Sequence, residues 1–539
     1  MSKDQDRAFF GHPAGLSTLF FTEMWERFSY YGMRAFLILF LTAKTIEGGM
    51  DMKDGTAGLV VGLYTSSVYL LSLPGGWIAD RFLGQRKAVT YGGIGIMLGN
   101  ALLALPGGHL FYPGLALAAF GTGLLKPNVS TIVGQLYSDD DPRREPGFTI
   151  YYMGINIGAF GAPFVCGFLA ESSWFRHFLA DHGISPTYSW NFAFAAVSLG
   201  MLAGLIQYVL GGHRMGDAGA HPTIPTDPKR AARDRSVLGA LLGGIVLIAA
   251  AAAVFSDHIT QSFLSNVFPV ILAVISISLF VGLYQSARDS GERKRIVAMI
   301  PLFLGAIAFF AIFEQASSTF NLFAERNTAP GFLGFMIPSY YQSVNSIFII
   351  VFAPVFAILW TSLGKRKKEP SSVNKFGIGM LFIAIAVLVM VPTLGAERAG
   401  TIGGTGPDAA HYKDQVSGIY LFGLYLFFTC SELCISPVGL ASMSRLAPKR
   451  LAGMVMGTWF LAASVGNFLA GQAAGASASW GHSTLYWTII IASVIVAGAL
   501  FGVAPLIKKM MGADASGPAD KSEKAEPEPL PEARTVPQE

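Results

Sequence analysis

Acidic and basic side chains recur on one face of the first apolar stretch of the sequence, TEMWERFSYYGMRAF at residues 22–36. Glu23, Glu26, Arg27, Tyr30 and Arg34 are spaced so that a helix would place them in a single polar stripe. Both carboxylates are expected to reach Arg27, which leaves one negative charge in surplus. A proton could neutralise that charge, so the stripe predicts either a protonation site or a static ion-pair cluster that holds helices together.

Three further charges occur deep in later apolar stretches. They are Lys126 in FGTGLLKPNVS, Glu314 in AIFEQASSTF and Glu432 in TCSELCISPVGL. An ionisable group in a membrane interior is costly unless it is paired or faces water. Lys126 therefore needs an acidic partner, for which Glu314 and Glu432 are the candidates. Such pairs would either form and break with conformation, which couples protonation to opening, or remain fixed as structural ion pairs.

The elements that position these charges are predicted to be membrane-spanning helices. Of the 539 residues, 52% are apolar and only 13% are charged, whereas soluble domains carry about 25% charged residues. A helix needs about 20 apolar residues to cross a bilayer. Fourteen stretches meet this requirement, at 15–43, 54–79, 88–106, 111–137, 147–170, 190–211, 236–255, 263–285, 296–324, 332–363, 376–394, 416–444, 452–475 and 485–507.

The order of these stretches predicts an all-α polytopic membrane protein with the major facilitator fold, in a 6+2+6 arrangement. Two six-helix halves of this kind rock about a central site. The inserted pair carries no charge within its apolar stretches and is predicted to be peripheral. The predicted domains are a cytoplasmic leader at 1–14, a first bundle at 15–212, a linker with the inserted pair at 213–292, a second bundle at 293–511, and a tail at 512–539 whose polar composition predicts disorder.

The distribution of basic residues predicts that both termini are cytoplasmic, because Lys and Arg are retained on that side of a membrane. One set of loops holds 24 Lys and Arg residues and the opposite set holds six. This loop bias accounts for the net charge of +4, so no nucleic-acid partner is predicted.

Other chemistries find little support in the sequence. Cys166, Cys430 and Cys434 lie in apolar stretches without spacing suited to zinc or a disulfide framework. The nine histidines fall in loops or at stretch ends, so proton coupling would use carboxylates. No HExxH, Walker loop or GxSxG motif occurs. We expect neither an enzyme nor a cofactor or metal site.

Several segments together resemble the proton-dependent oligopeptide transporter family of the major facilitator superfamily. EMWERFSYYG at 23–32 fits the ExxERFxYYG signature, GGWIADRFLGQRK at 75–87 resembles the facilitator loop motif, and FTIYYMGINIGAF at 148–160 resembles the helix 5 motif FxxFYxxINxG. The FEQ segment around Glu314, NSIFIIVFAP from Asn345, SELCISPVGLASMSRLAP and MGTWFL extend the resemblance over both halves. Bacterial members also have an inserted helix pair.

The resemblance implies import of dipeptides and tripeptides driven by protons, in a bacterial inner membrane, by a monomer that needs no other partner than the bilayer. It gives Glu23, Glu26 and Arg27 the coupling role. Glu314 would be a second protonation site and the ion-pair partner of Arg34.

The resemblance also implies how a peptide is held. Arg34 and Lys126 would bind the peptide carboxylate and Glu432 its ammonium group. Glu432 would pair with Lys126 when no peptide is bound. Asn156 and Asn345 would contact the peptide backbone, Tyr30, Tyr31 and Tyr69 would supply hydroxyls and aromatic walls, and Trp459 would close a side-chain pocket. Simple helix packing would explain each aromatic equally well.

Two departures from the family pattern leave the charged set untouched. Phe310 stands where many members have Trp, and Ser346 follows Asn345 where Pro is common. Because fold does not fix cargo, the alternative is a carrier of the same fold for nitrate or peptide-like drugs. Nitrate has no ammonium group for Glu432, which favours peptides. A scaffold or receptor without transport would have no use for the cavity charges.

Overall fold

A computed structural model of the protein describes residues 5–138, 140–223, 227–229, 231–240, 243, 261–329, 332–398, 415–446 and 451–511. Most of the first inserted stretch, 236–255, and the tail predicted to be disordered, 512–539, lie outside these residues. Of the other predicted stretches, 296–324 is interrupted and the last two lie in one helix, and each of the rest coincides with a helix over most of its length. The described residues form helices and isolated bridges but no strand, as expected for the predicted all-α fold.

The first half of the chain contains six long helices and one short one. They are α1 (Ala14–Thr42), α2 (Asp54–Ile78), α3 (Gln85–Leu103), α4 (Phe111–Gln135), α5 (Arg144–Glu171), α6 (Ser173–Asp181) and α7 (Ser189–Leu210). The short helix α6 was not predicted, because its nine residues mix aromatic and charged side chains and form no apolar run. It packs between α5 and α7.

After the first half come α8 (Gln261–Gln285), which is the second inserted stretch, and the helices of the second half, α9 (Ser290–Phe313), α10 (Thr319–Asn327), α11 (Gln342–Lys365), α12 (Ser372–Met390), α13 (Thr393–Arg398), α14 (Ile419–Leu446) and α15 (Ala452–Met511). The last helix covers two predicted stretches, which meet at Gly481, where φ is +77°. Such a φ favours glycine, since it lacks a Cβ atom. Nine helical segments of the described residues are long and apolar enough to cross a membrane.

Close contacts between helix backbones hold the first half together. A Cβ atom on Gly75 of α2 would lie 2.2 Å from the carbonyl oxygen of Gly123 on α4. Small residues allow such approach where water does not drive helices together. The glycines that precede Lys126 therefore allow α4 to pack closely against its neighbours.

One predicted helix is interrupted. The sequence suggested a continuous helix over 296–324, but α9 ends at Phe313 and a 3-10 turn covers Glu314–Ser317 before α10 begins. Ser318, with φ −126° and ψ −89°, separates the two helices. A short 3-10 segment inside a helix often marks a functional hinge, and here it contains Glu314.

The two halves meet through polar contacts at one end of the bundle. Arg326 Nη1 and Nη2 bind Asp54 Oδ2 and Oδ1 at 2.7 and 2.9 Å, and Asn321 Nδ2 donates to the Ala35 carbonyl oxygen at 2.7 Å. Within the described residues, the hydrogen bonds and ion pairs between halves lie from the middle of the bundle to the end at which α1 ends and α2 begins. We call this the closed end.

The leader before α1 docks on the opposite end of the bundle. Arg143 binds Asp6 Oδ2 at 3.1 Å and Asp141 Oδ2 at 2.8 Å, and His12 Nδ1 lies 3.0 Å from the Tyr137 hydroxyl. Burial and then the Arg143 guanidinium lower the pKa of His12, with Asp141 acting in the opposite direction. Docking of the leader therefore disfavours the protonated form of His12.

Candidate functional site

The polar stripe predicted on α1 forms a buried ion-pair cluster. Arg27 Nε lies 2.9 Å from Glu23 Oε1 and 2.5 Å from Glu26 Oε2. Tyr151 of α5 donates its hydroxyl proton to Glu23 Oε2 at 2.6 Å. Two carboxylates thus share one guanidinium, and only one of them has a further donor from α5. Glu26 is fully buried, so its surplus charge is the expensive one unless a proton neutralises it.

A second ion pair crosses between the halves. Arg34 Nη2 of α1 binds Glu314 Oε2 at the break after α9, and both side chains are almost completely buried. This confirms the expected pairing of the two residues. Because the 3-10 turn interrupts the helix at Glu314, the carboxylate lies in the least regular part of its span.

Lys126 does not have the partner that the sequence suggested. Its Nζ atom lies 3.7 Å from the ring centroid of Tyr69, and no ion pair joins it to Glu432 in the part of the chain that the structure describes. The ammonium interacts at longer range with Arg27, Glu26, Glu23 and Glu314. The expected pairing of Lys126 with Glu432 is wrong for this conformation, in which the Tyr69 ring covers the cation instead.

Glu432 is held within its own half. Asn345 Nδ2 of α11 donates to Glu432 Oε2 at 3.1 Å and to Thr429 Oγ1 at 3.0 Å. Thr429 and Glu432 are three residues apart on α14, so both face the same neighbour. The structure therefore brings Asn345 and Glu432 together, whereas the sequence analysis had given them separate tasks.

The remaining predicted residues are less closely joined. Tyr30 and Tyr31 lie edge to face with ring centroids 5.2 Å apart, and Arg34 lies 5.9 Å from the Tyr31 ring. Trp459 meets Phe310 at 5.6 Å. Asn156 Nδ2 donates to the Tyr152 carbonyl oxygen of its own helix at 3.1 Å, and within the part of the chain that the structure describes no hydrogen bond joins it to the charged residues.

Sequence reasoning missed several polar residues of the interior. Tyr151 was inside a quoted motif but received no role. Glu171 and Glu325 each lie one residue beyond a predicted stretch, although α5 ends at Glu171 and α10 extends past Glu325. Helix ends predicted from sequence are uncertain by one or two residues. Extending each predicted stretch by that amount would have included both glutamates.

Comparison with known proteins places the chain beside transporters. The sequence profile of the POT family matches residues 86–488. The chain is 38% identical over 520 residues to the peptide transporter YePEPT of Yersinia enterocolitica, covering 94% of this chain and 96% of that protein. It is 36% identical over 483 residues to a di-/tripeptide transporter of Lactococcus lactis subsp. cremoris, covering 87% and 90%.

Solved structures give the same result for the fold. The crystal structure of a peptide transporter POT in complex with sulfate has 35% sequence identity and a TM-score of 0.82, and the match covers 95% of this chain and 99% of that one. A POT family transporter in complex with 5-aminolevulinic acid has 29% identity and a TM-score of 0.80. The predicted major facilitator fold is therefore confirmed.

Proposed function

The chain belongs to the POT family of transporters, and from this premise we propose that it imports dipeptides and tripeptides together with protons by alternating access. Relatives at 36–38% identity over most of the chain are named peptide or di-/tripeptide transporters. The charged side chains of α1, α4, the turn after α9, and α14, which are buried or half-buried, are the feature that this activity requires.

The observation that carries the proposal is the division of charge between halves. The first half supplies Arg34 and Lys126, and the second half supplies Glu314 and Glu432. A peptide zwitterion has a carboxylate for the cationic side and an ammonium group for the acidic side. Binding both ends at once would draw the halves together, which is how binding energy can drive a conformational change.

Proton coupling follows from the Arg34–Glu314 ion pair. Arg34 can bind a peptide carboxylate only when Glu314 releases it. A proton on Glu314 removes the attraction and frees the guanidinium, so proton and peptide would load the same state. Glu23, Glu26 and Arg27 would form the second coupling group. Glu23 would keep its charge there, because the Tyr151 hydroxyl donates a hydrogen bond to it.

The neutral residues would complete the peptide site. Glu432 would exchange its Asn345 donor for the peptide ammonium group, leaving the Asn345 amide for the peptide backbone. Asn156 would contact the backbone from the first half after giving up its helix carbonyl. Tyr30, Tyr31 and Tyr69 would wall the cavity, and Tyr69 would release Lys126 to the carboxylate. Trp459 would close the side-chain pocket with Phe310 beside it.

We further propose the setting in which this occurs. Residues 15–212 and 293–511 would rock as two bundles, with 213–292 at the periphery. The protein would work as a monomer in a bacterial inner membrane with both termini in the cytoplasm. The closed end, where Asp54 meets Arg326, would then face outward.

Uptake of labelled dialanine into proteoliposomes tests the proposal. With an inward proton gradient the peptide should accumulate above its external concentration, and a protonophore should abolish the accumulation. Peptide derivatives separate the roles of the two ends, since an N-acetylated dipeptide lacks the ammonium group for Glu432. Absence of uptake for every dipeptide and tripeptide, in protein that is folded, would leave the transporter fold intact and refute peptides as cargo.

The alternative cargo is a smaller anion such as nitrate, or a peptide-like drug. Competition for dialanine uptake distinguishes these cases. Nitrate should not compete, because it cannot occupy Glu432, whereas a drug with both peptide termini should. Competition by nitrate at concentrations that leave the proton gradient intact would favour the alternative.

A further inference from the structure

A carboxylate outside the central cavity lies at the contact between the halves. Glu171 is the last residue of α5, and its Oε1 atom accepts hydrogen bonds from the backbone N–H of Ser339, at 3.3 Å, and from the Ser339 hydroxyl. Ser339 belongs to the short 3-10 helix Pro338–Tyr341 that precedes α11. Glu171 therefore joins the first half to the second, at the closed end.

The packing around this contact is tight. Ser339 is fully buried, and a Cβ atom on Gly167, one turn before Glu171, would lie 2.7 Å from Ser339 Cβ. The Ser339 hydroxyl also lies 3.2 Å from the Ala35 carbonyl oxygen of α1, which accepts from Asn321 as well. We call Ala35, Glu171, Asn321 and Ser339 the closing contact.

The closing contact has one proton too few when Glu171 is ionised. A serine hydroxyl has one proton to donate, but the Ser339 hydroxyl faces two acceptors, Glu171 Oε1 and the Ala35 carbonyl oxygen. With Glu171 ionised, one of these contacts has no proton. With Glu171 protonated, its O–H donates to Ser339 Oγ and the serine donates to Ala35. Every contact is then a hydrogen bond.

The two charged groups that face Glu171 act in opposite directions, since Glu325 favours a protonated Glu171 and Arg176 favours an ionised one. The ionisable groups that face it are Glu325 of α10, Arg176 of α6 and Tyr340 beside Ser339. Arg176 Nη2 donates to the Ala170 carbonyl oxygen at 3.1 Å and its guanidinium lies 5.6 Å from the Trp190 ring. On α1, Arg34 is held by Glu314. Across the described residues, no ion pair within 4.0 Å includes Glu171.

We propose that Glu171 is a proton-binding site of the closed end, separate from Glu314 and the α1 stripe, and that a proton on Glu171 stabilises closure. When the closing contact opens, Glu171 becomes exposed to the compartment on that side and exchanges its proton there. Acidity in that compartment would then favour closure of this end. The inference deepens the proposed function, since it rests on alternating access of the two halves.

The test measures closure directly and without peptide. Spin labels are placed at Ile184, before α7, and Phe335, before α11, which are both exposed and lie on opposite halves, in the full chain lacking its native cysteines. The distance between labels is measured in lipid nanodiscs across a pH series. In the parent protein the closed fraction should rise as pH falls.

Three variants identify the group responsible. Glu171→Gln carries an N–H donor in place of the carboxyl proton, so the closed fraction should stay at its acid value and lose its pH dependence. Ser339→Ala removes the hydroxyl that bonds both Glu171 and the Ala35 carbonyl oxygen. Its closed fraction should be lower than that of the parent and should not depend on pH. Glu325→Gln, a neighbouring carboxylate outside the closing contact, should keep it.

The inference is overturned if Glu171→Gln retains the pH dependence of the parent. If that variant does not fold, Ser339→Ala decides by the same criterion. Failure of dialanine uptake in the parent would refute the proposed cargo but would leave this distance measurement intact. Uptake with an unchanged closure profile in Glu171→Gln would refute only the proton site.

Discussion

Arg34 of α1 and Glu314 at the break after α9 form a buried ion pair that joins the first half of the protein to the second. Within the first half, Arg27 is shared by two carboxylates of its own helix. The two arginines of one helix stripe thus have different surroundings, one local and one across the halves. Only the ion pair of Arg34 would change when one half moves against the other.

Replacing Glu314 by Gln should uncouple uptake from the proton gradient. Removing one partner of a buried ion pair costs about 3–5 kcal/mol, of which the amide oxygen recovers a part by accepting from Arg34. Because about 1.4 kcal/mol corresponds to a factor of ten, we expect gradient-driven uptake of dialanine to fall at least tenfold. Glu369→Gln is the control, since it breaks the Lys375–Glu369 pair (2.5 Å) inside one half. Equal uptake in parent and Glu314→Gln would refute the coupling role.

Lys126→Ala should weaken the preference for peptides with a free carboxylate, leaving only the part that Arg34 supplies. A hydrogen bond to a charged group contributes about 1.5–3 kcal/mol, which predicts roughly a 10- to 100-fold preference for dialanine over its C-terminal amide in the parent. The variant should take up dialanine more slowly than the parent and should show a smaller preference for it over the amide, because Arg34 remains. Lys375→Ala is the matched control, because Lys375 also lies over an aromatic ring, with its Nζ atom 4.5 Å from the ring centroid of Trp360. An undiminished preference in Lys126→Ala would mean that Lys126 does not contribute to carboxylate binding.

Reversing the charge of Asp54 should weaken closure, and reversing the charge of Arg326 as well should restore it. The pair is bidentate but partly exposed, with side-chain exposures of 24% and 36%, so we expect about 1 kcal/mol, or roughly a fivefold change in the ratio of closed to open protein. Asp54→Arg alone should lower the closed fraction, and Asp54→Arg with Arg326→Asp should recover it. The same spin-label distance provides the measurement. No recovery in the double variant would mean that the pair is not the relevant contact.

The docked leader should loosen in acid. A histidine whose pKa is lowered in the folded protein disfavours the proton there, so docking is strongest above the unfolded value of about 6.5 and weakens as pH falls through the lower folded value. The protection of the amides of Phe9 and His12, which bond each other, should therefore fall over that range, measured as the hydrogen-exchange rate relative to the rate of the unstructured chain at the same pH. His12→Asn retains a hydrogen-bond group and should remove the pH dependence. An unchanged exchange profile in this variant would assign the effect to another group.

The sequence by itself determined the helices and the α1 stripe. Helix length follows from the apolar run needed to cross a bilayer, and the spacing of Glu23, Arg27 and Arg34 is a property of one helix. These are local quantities, so they can be read without knowing any neighbour. The family signature in the same stretch then indicated the fold and the partner of Arg34.

Only the tertiary structure decided which groups meet across helices. Lys126 lies over Tyr69 and not beside Glu432, and Glu432 is bonded to Asn345. The helix break at Glu314–Ser317 and the contact of Glu171 with Ser339 also came from the structure. The physical reason is that a contact between distant segments depends on how the two halves are placed, and a carrier has more than one such placement. A sequence that must satisfy several conformations does not specify the partners of any single one.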